Sequence, residues 1–347
     1  MVMKIRSSSK SPTQLFGELS DGSKVYSHEI SNSNGMSLKV MDYGATVIAL
    51  KKSLKNGKVV DVVLGFDALS DYVDSYSLPS APYFGATVGR FAGRIANATF
   101  DLNGKSIVLH QNNSGNALHG GIAGFSQKLW RLEQLKTDKN PSVSFSYRSP
   151  AGEELYPGEL KVSITYTLTE ENELEIEYKA TTNEPTVVNL THHSYFNLEG
   201  QHSSVLKQEL HIDAYEILET IDMIPTGKML PVQSTESDYT APKPCPEVID
   251  TTFVIKAKES LAATLLSKEN NLKMEVYTNQ PGLHVYVGGN CFTQIKGKEN
   301  ASYHSQSGIC FETQNFPDAP NHPNFPSAIL LPGDIYFHKT IYKFQSF

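Results

Sequence analysis

Cysteine is scarce in this chain: three residues in 347, Cys245, Cys291 and Cys310. So odd and sparse a count argues against a disulfide framework, and no Cys-x-x-Cys pair suggests zinc. Long apolar runs are missing as well. Residues 1–14 hold Lys4, Arg6 and Lys10 but no apolar stretch, so they read as a flexible N-terminal extension rather than a signal peptide. Nothing in the chain is long and apolar enough to span a bilayer. The triplets at Asn97, Asn189 and Asn300 match the glycosylation pattern, but without secretion they stay unused, and the compartment reads as cytoplasmic. Charge of one sign is not concentrated anywhere. The formal net charge of −7 comes from both signs scattered along the chain, which offers no nucleic-acid footprint and no membrane patch. Neutral small molecules are the natural partners of such a surface. Apolar residues at 39% and charged residues at 19% supply a globular core.

Helical periodicity is nearly absent too. Leu261 to Leu266 fits a short helix or a strand equally well. What the chain has instead is alternation. Val143, Phe145 and Tyr147 alternate with serines, and Val162, Ile164, Tyr166 and Leu168 alternate with Ser163, Thr165 and Thr167. Leu174, Ile176, Tyr178 and Ala180 follow beyond the polar step Glu170–Glu173, which predicts an antiparallel hairpin with one buried face. Leu272, Met274 and Val276 repeat the signal, as do Leu283, Val285 and Val287. The 24 glycines and 18 prolines mark many turns, and no linker or repeat divides the chain. The expected fold is all-β, one large antiparallel β-sandwich over residues 1–347, with sites on Gly/Pro-rich loops.

Four segments put ionisable residues among turn formers and aromatics. Tyr83–Ile95 is glycine-rich, but no Gly-Lys-Ser/Thr follows and no βαβ pattern surrounds it, so a nucleotide loop is excluded. Its bland reading is tight turns carrying two solvated arginines, Arg90 and Arg94. Asn116–Gly121 places His119 before paired glycines, at a sharp turn. Asn189–Asn197 carries His192 and His193, which point to opposite faces if extended and so do not chelate one metal together. A single acid–base histidine fits better. Cys310–Asp318 sets Glu312 in apolar and amide surroundings, where a carboxylate is partly desolvated and strengthened as a base.

Taken together, in this order and spacing, these segments resemble the aldose 1-epimerase family. The match runs through Gly-Arg-x-x-x-Arg-Ile, Leu118-His119-Gly120-Gly121, Asn189-Leu190-Thr191-His192-His193-Ser194-Tyr195-Phe196-Asn197-Leu198 and Glu312-Thr313-Gln314 with Pro317-Asp318. Leu155–Gly158, Ile224–Gly227, Thr278–Gly282 and Leu331–Gly333 extend it from about residue 35 to the C-terminus. The resemblance implies a large antiparallel β-sandwich that interconverts the α and β anomers of a free hexose such as galactose or glucose. It implies Glu312 as base, His193 as acid and His119 as a second active-site histidine that polarises the ring oxygen or a neighbouring hydroxyl. Arg94, Asp250 and Gln280 match sugar-orienting positions. Base and acid are expected on opposite sides of the sugar, with Tyr195 or Phe292 as an apolar floor. No cofactor, metal, nucleic acid or membrane is implied, and the chain is expected as a monomer or weak dimer. Gly93, His192 and Thr251 depart from common family residues, which bears on sugar preference. Rival readings are a hexose 6-phosphate epimerase, which needs an extra basic cluster; a non-catalytic sugar-binding protein, which could dispense with Glu312 and His193; and a glycosidase, which needs paired carboxylates.

Overall fold

A computed structural model describes residues 11–255, 260–288 and 295–347. Its largest sheet has nine antiparallel strands. The hairpin expected from alternation lies inside it: Leu160–Leu168 pairs with Glu173–Thr182, Leu168 opposite Leu174. Every inward residue of the first strand is buried, and the outward ones are half-buried or exposed. The strand Tyr336–Ser346 lies between Glu173–Thr182 and Leu272–Thr278 and joins the two parts of this sheet. Leu261 to Leu266 falls in the strand Ser260–Ser267, which settles the open choice between helix and strand.

A six-stranded sheet is ordered Tyr195–Phe196, Ile309–Gln314, Gly282–Val287, Ile249–Val254, Glu216–Ile221, Ile224–Pro231. A five-stranded sheet begins at Thr13–Glu18 and ends at Val59–Asp61. One core cluster contains Ile164, Ile176 and Met274 from the first sheet, Leu283, Val285 and Phe311 from the second, and Leu38 and Val47 from the third. The sheets therefore share an apolar interior, which makes the architecture a large β-sandwich. Each fully buried aliphatic side chain of this kind contributes about 1.5–3 kcal/mol of transfer free energy.

Three details differ from expectation. Thr13 and Gln14, inside the stretch 1–14 expected as a flexible extension, pair with His28 and Ser27; residues 1–10 lie outside the described part. The strand is hard to read because its burial follows no strict alternation. A seven-residue helix, Leu69–Ser75, packs Tyr72 against Phe16 and Phe66. Arg90 is not solvated: it is 2% exposed and donates to the carbonyls of Ser149, Pro150, Pro157 and Gly158. Ser149 ends the strand Ser142–Ser149 and the other three carbonyls lie in loops, a cluster of acceptors that a buried guanidinium with five N–H donors can saturate.

Candidate active site

One face of the six-stranded sheet lies against the core. The other floors a cavity of about 730 Å³. Because side chains alternate across a strand, three neighbouring strands each send two residues to that floor: Asp250 and Thr252, His284 and Tyr286, Glu312 and Gln314. The register sets them in rows, with Thr252 opposite His284, and His284 opposite Glu312. All six residues of Ile309–Gln314 are buried, since Ile309 and Phe311 face the core while Glu312 and Gln314 face the cavity.

The walls come from shorter elements. Thr191–His192 pairs with Thr87–Val88, and the His193 N–H donates to the Ala86 carbonyl. The two histidines diverge. His192 sits beside Tyr166 and Tyr342 and meets Ser194 Oγ at 2.7 Å, while His193 lines the cavity. His193 Nε2 lies 3.4 Å from Glu312 Oε1, and its Nδ1 lies 3.7 Å from Cys310 Sγ. Glu312 is 2% exposed. The residues expected as acid and base therefore stand side by side.

His119 adopts a left-handed backbone with φ of 52°. A Cβ at the next residue, Gly120, would lie 1.9 Å from the Gly89 carbonyl oxygen, so only glycine lets the turn approach this closely. The Gly93 N–H donates to His119 Nδ1 at 3.3 Å. Burial pushes the His119 pKa well below the ordinary imidazole value, and His193, Arg94 and His284 push the same way. A neutral ring whose Nδ1 accepts must carry its proton on Nε2, which makes His119 a hydrogen-bond donor. Arg94 stands on the short strand Arg94–Ile95, opposite Leu118, and its Nε donates to Asn113 Oδ1. Burial lowers its pKa, while Asp250 and Glu312 oppose that shift.

Glu312, His193, His119, Arg94 and Asp250 are thus brought to one cavity. Gln280 is not. Its Nε2 donates to Asn279 Oδ1, and it is absent from the lining. It sits in the turn before Gly282–Val287 rather than on the floor face. Gln314 occupies the floor instead, 1% exposed, with no hydrogen-bond partner for Oε1 among the described residues. Its signal was in plain view, two residues after Glu312 on an extended segment. His284 was also missed. Tyr195 lines the cavity, whereas Phe292 lies outside the described residues.

Ligand atoms of His119, His193 and Glu312 lie within 4.8 Å of one another, the one set of three or more possible metal ligands among the described residues. It joins three separate segments, which is why spacing did not suggest it. With Nδ1 of His119 occupied by Gly93 and Nε2 protonated, that imidazole fits donation better than metal ligation.

A buried carboxylate touching an imidazole, ringed by polar donors and acceptors, defines an acid–base site for a small polar molecule. The aldose 1-epimerase family profile matches residues 26–343. Galactose mutarotase of Sus scrofa is 40% identical over 343 residues, covering 95% of this chain and 97% of the relative. Aldose 1-epimerase of Escherichia coli is 32% identical, covering 93% and 96%. The crystal structure of an aldose epimerase homologue from C. elegans superposes with a TM-score of 0.85 at 32% identity, covering 92% of this chain and 98% of that one. The chain belongs to the aldose 1-epimerase family. It is an isomerase-class enzyme of sugar chemistry. No helix among the described residues is long and apolar enough to cross a membrane.

Proposed function

We propose that this chain interconverts the α and β anomers of free hexoses, galactose and glucose among them, by general acid–base opening and closing of the ring in the cytoplasm. The observation that carries the reading is the buried Glu312 carboxylate in contact with the His193 imidazole on the floor of a polar cavity. Anomerisation needs two proton transfers, at the C1 hydroxyl and at the ring oxygen. Both oxygens are bonded to C1, so a base and an acid side by side serve them from one edge of the sugar.

Glu312 takes the proton from the C1 hydroxyl. The bond from C1 to the ring oxygen breaks, and that oxygen takes a proton from His193. The open aldehyde turns about C1–C2. Then His193 recovers its proton, the ring oxygen attacks the other face of C1, and Glu312 returns its proton to the new hydroxyl. Each transfer contributes roughly 10²–10⁴-fold. His119, a neutral donor through Nε2, steadies the ring oxygen or an adjacent hydroxyl. Arg94 and Asp250 hold other hydroxyls as charged donor and acceptor, and Gln314 offers a further acceptor.

A phosphorylated hexose fits less well. Among the described residues lining the cavity, Arg94 is the one arginine or lysine, and it already bonds Asn113. Polarimetry of freshly dissolved α-D-galactose and α-D-glucose tests the proposal. Purified protein should speed the approach to equilibrium rotation for at least one of them; no acceleration with either overturns it.

A further inference from the structure

His284 is a floor residue to which the proton-transfer scheme assigns no part. It occupies the middle of a row, with Thr252 on one neighbouring strand and Glu312 on the other. Both of its ring nitrogens are engaged: Nδ1 lies 2.9 Å from Thr252 Oγ1, and Nε2 lies 3.1 Å from Asp250 Oδ1. An ionised carboxylate only accepts, so this contact requires the proton on Nε2. Nδ1 then accepts from the Thr252 hydroxyl when the ring is neutral and donates to it when the ring is charged. A hydroxyl serves either need, so the ring keeps one position in both states.

The charges around it favour the charged state. Asp250 faces it from Ile249–Val254, Glu312 from Ile309–Gln314, Arg94 from the short strand above, with His119 nearby. Burial opposes a charge on His284, but the hydrogen bond and charge of Asp250 together with Glu312 outweigh burial and Arg94, and its pKa is raised above the ordinary imidazole value. Burial likewise pushes Asp250 up, yet His284 and Arg94 prevail and hold its carboxyl below the usual range.

We infer that His284 is a positioning residue that clamps Asp250 Oδ1, leaving Oδ2 for a sugar hydroxyl, and carries a switchable positive charge between Asp250 and Glu312. The inference deepens the epimerase reading and rests on Asp250 as a sugar ligand. A charge-assisted hydrogen bond is the stronger one, so Asp250 is held most firmly while His284 is protonated. The clamp acts on bound sugar and transition state alike, so its loss raises KM more than it lowers kcat. As pH rises through the His284 titration, KM should therefore rise.

The test joins NMR to kinetics on the full chain. The His284 ring signal is identified by its loss in His284→Gln and followed across the neutral and mildly alkaline range. Its midpoint should lie above the ordinary value of about 6.5 and fall in Asp250→Asn. Polarimetry with galactose over the same range should show the wild-type KM rising several-fold as that signal titrates. His284→Gln keeps an amide donor for Asp250 but no charge, so its KM should be flat there. A His284→Gln profile that follows the wild type, or a midpoint unmoved by Asp250→Asn, overturns the clamp. Wild-type protein with no anomerising activity overturns the epimerase reading instead. In that case a midpoint that moves in Asp250→Asn and again on adding galactose still supports the clamp, and one that does neither removes it.

Discussion

The hairpin Leu160–Thr182 and the strand Ile309–Gln314 share a backbone geometry and differ in what their second face meets. In the hairpin, Val162, Ile164 and Tyr166 go to the core while Lys161, Ser163 and Thr165 turn away from it, Lys161 exposed and the other two half-buried. In Ile309–Gln314 the core face is the same, but Glu312 and Gln314 turn to a cavity floor and are as buried as the apolar residues. Polar groups that water can reach are satisfied cheaply and specify little. Polar groups held where water is scarce are costly to bury, and such sites shift proton affinities and orient ligands.

The comparison can be broken most directly at Glu312. Glu312→Gln keeps the shape and removes the base, and kcat should fall by at least about a hundredfold with a smaller change in KM. Near-normal turnover would mean that burial on this strand serves packing alone. His193→Asn should follow, with a loss of tens-fold or more, while His192→Asn keeps most activity and lowers Tm, because His192 is set among Tyr166, Tyr342 and Ser194. Equal losses from two folded variants would erase the distinction between neighbouring positions.

On the scaffold side, Ile176→Ala should cost about 2–5 kcal/mol of stability and leave kcat intact, since Ile176 is fully buried. Parallel urea titrations and rate assays check this. Acid should act on the scaffold as well. Burial pushes His28 down to about 4, and His192 and His338 down to about 3. The folded chain leaves them neutral, whereas the unfolded chain protonates them below about 6.5. Stability is therefore whole above that pH and declines as pH falls, by roughly 1.4 kcal/mol per pH unit for each. Asp42, raised by burial to about 7, keeps its proton when folded and partly offsets the decline. Denaturation midpoints at neutral pH and near pH 5 should differ accordingly. The smallest expected effect is none: exhaustive EDTA dialysis should leave the rate unchanged, since the scheme uses only side-chain proton transfers. A loss restored by zinc would turn His119, His193 and Glu312 into ligands.

Alternation made the hairpin and much of the large sheet legible, because one face meets the core and the other meets water. The same logic hid His284. Leu283, Val285 and Val287 announced a strand, and the intervening His284 and Tyr286 looked like its solvent face. Period-2 reasoning tells two faces apart but cannot tell water from a cavity. Gln280 shows the complementary limit: a motif match set it among sugar-orienting positions, whereas the backbone holds it in the turn before the strand, beside Asn279. Glu312, His193, His119 and Arg94 stood out singly among turn formers and aromatics, but only strings matched to a family joined them, with Asp250, into one site, since spacing alone does not bring residues so distant in sequence together.

The strand Tyr336–Ser346 has a further consequence, for the order in which the chain is made. It pairs on one side with Glu173–Thr182 and on the other with Leu272–Thr278. Both of those strands leave the ribosome earlier and wait with one edge bare. Bare edges of apolar strands are templates for pairing with other chains. The nascent protein thus carries two open seams that one late strand closes together, and Glu312 emerges only shortly before it. A chain broken off before Tyr336 holds every residue that lines the cavity, while the nine-stranded sheet behind the core stays in two parts. Such a product would present the unpaired edges of Glu173–Thr182 and Leu272–Thr278, the kind of surface that aggregates or draws chaperones.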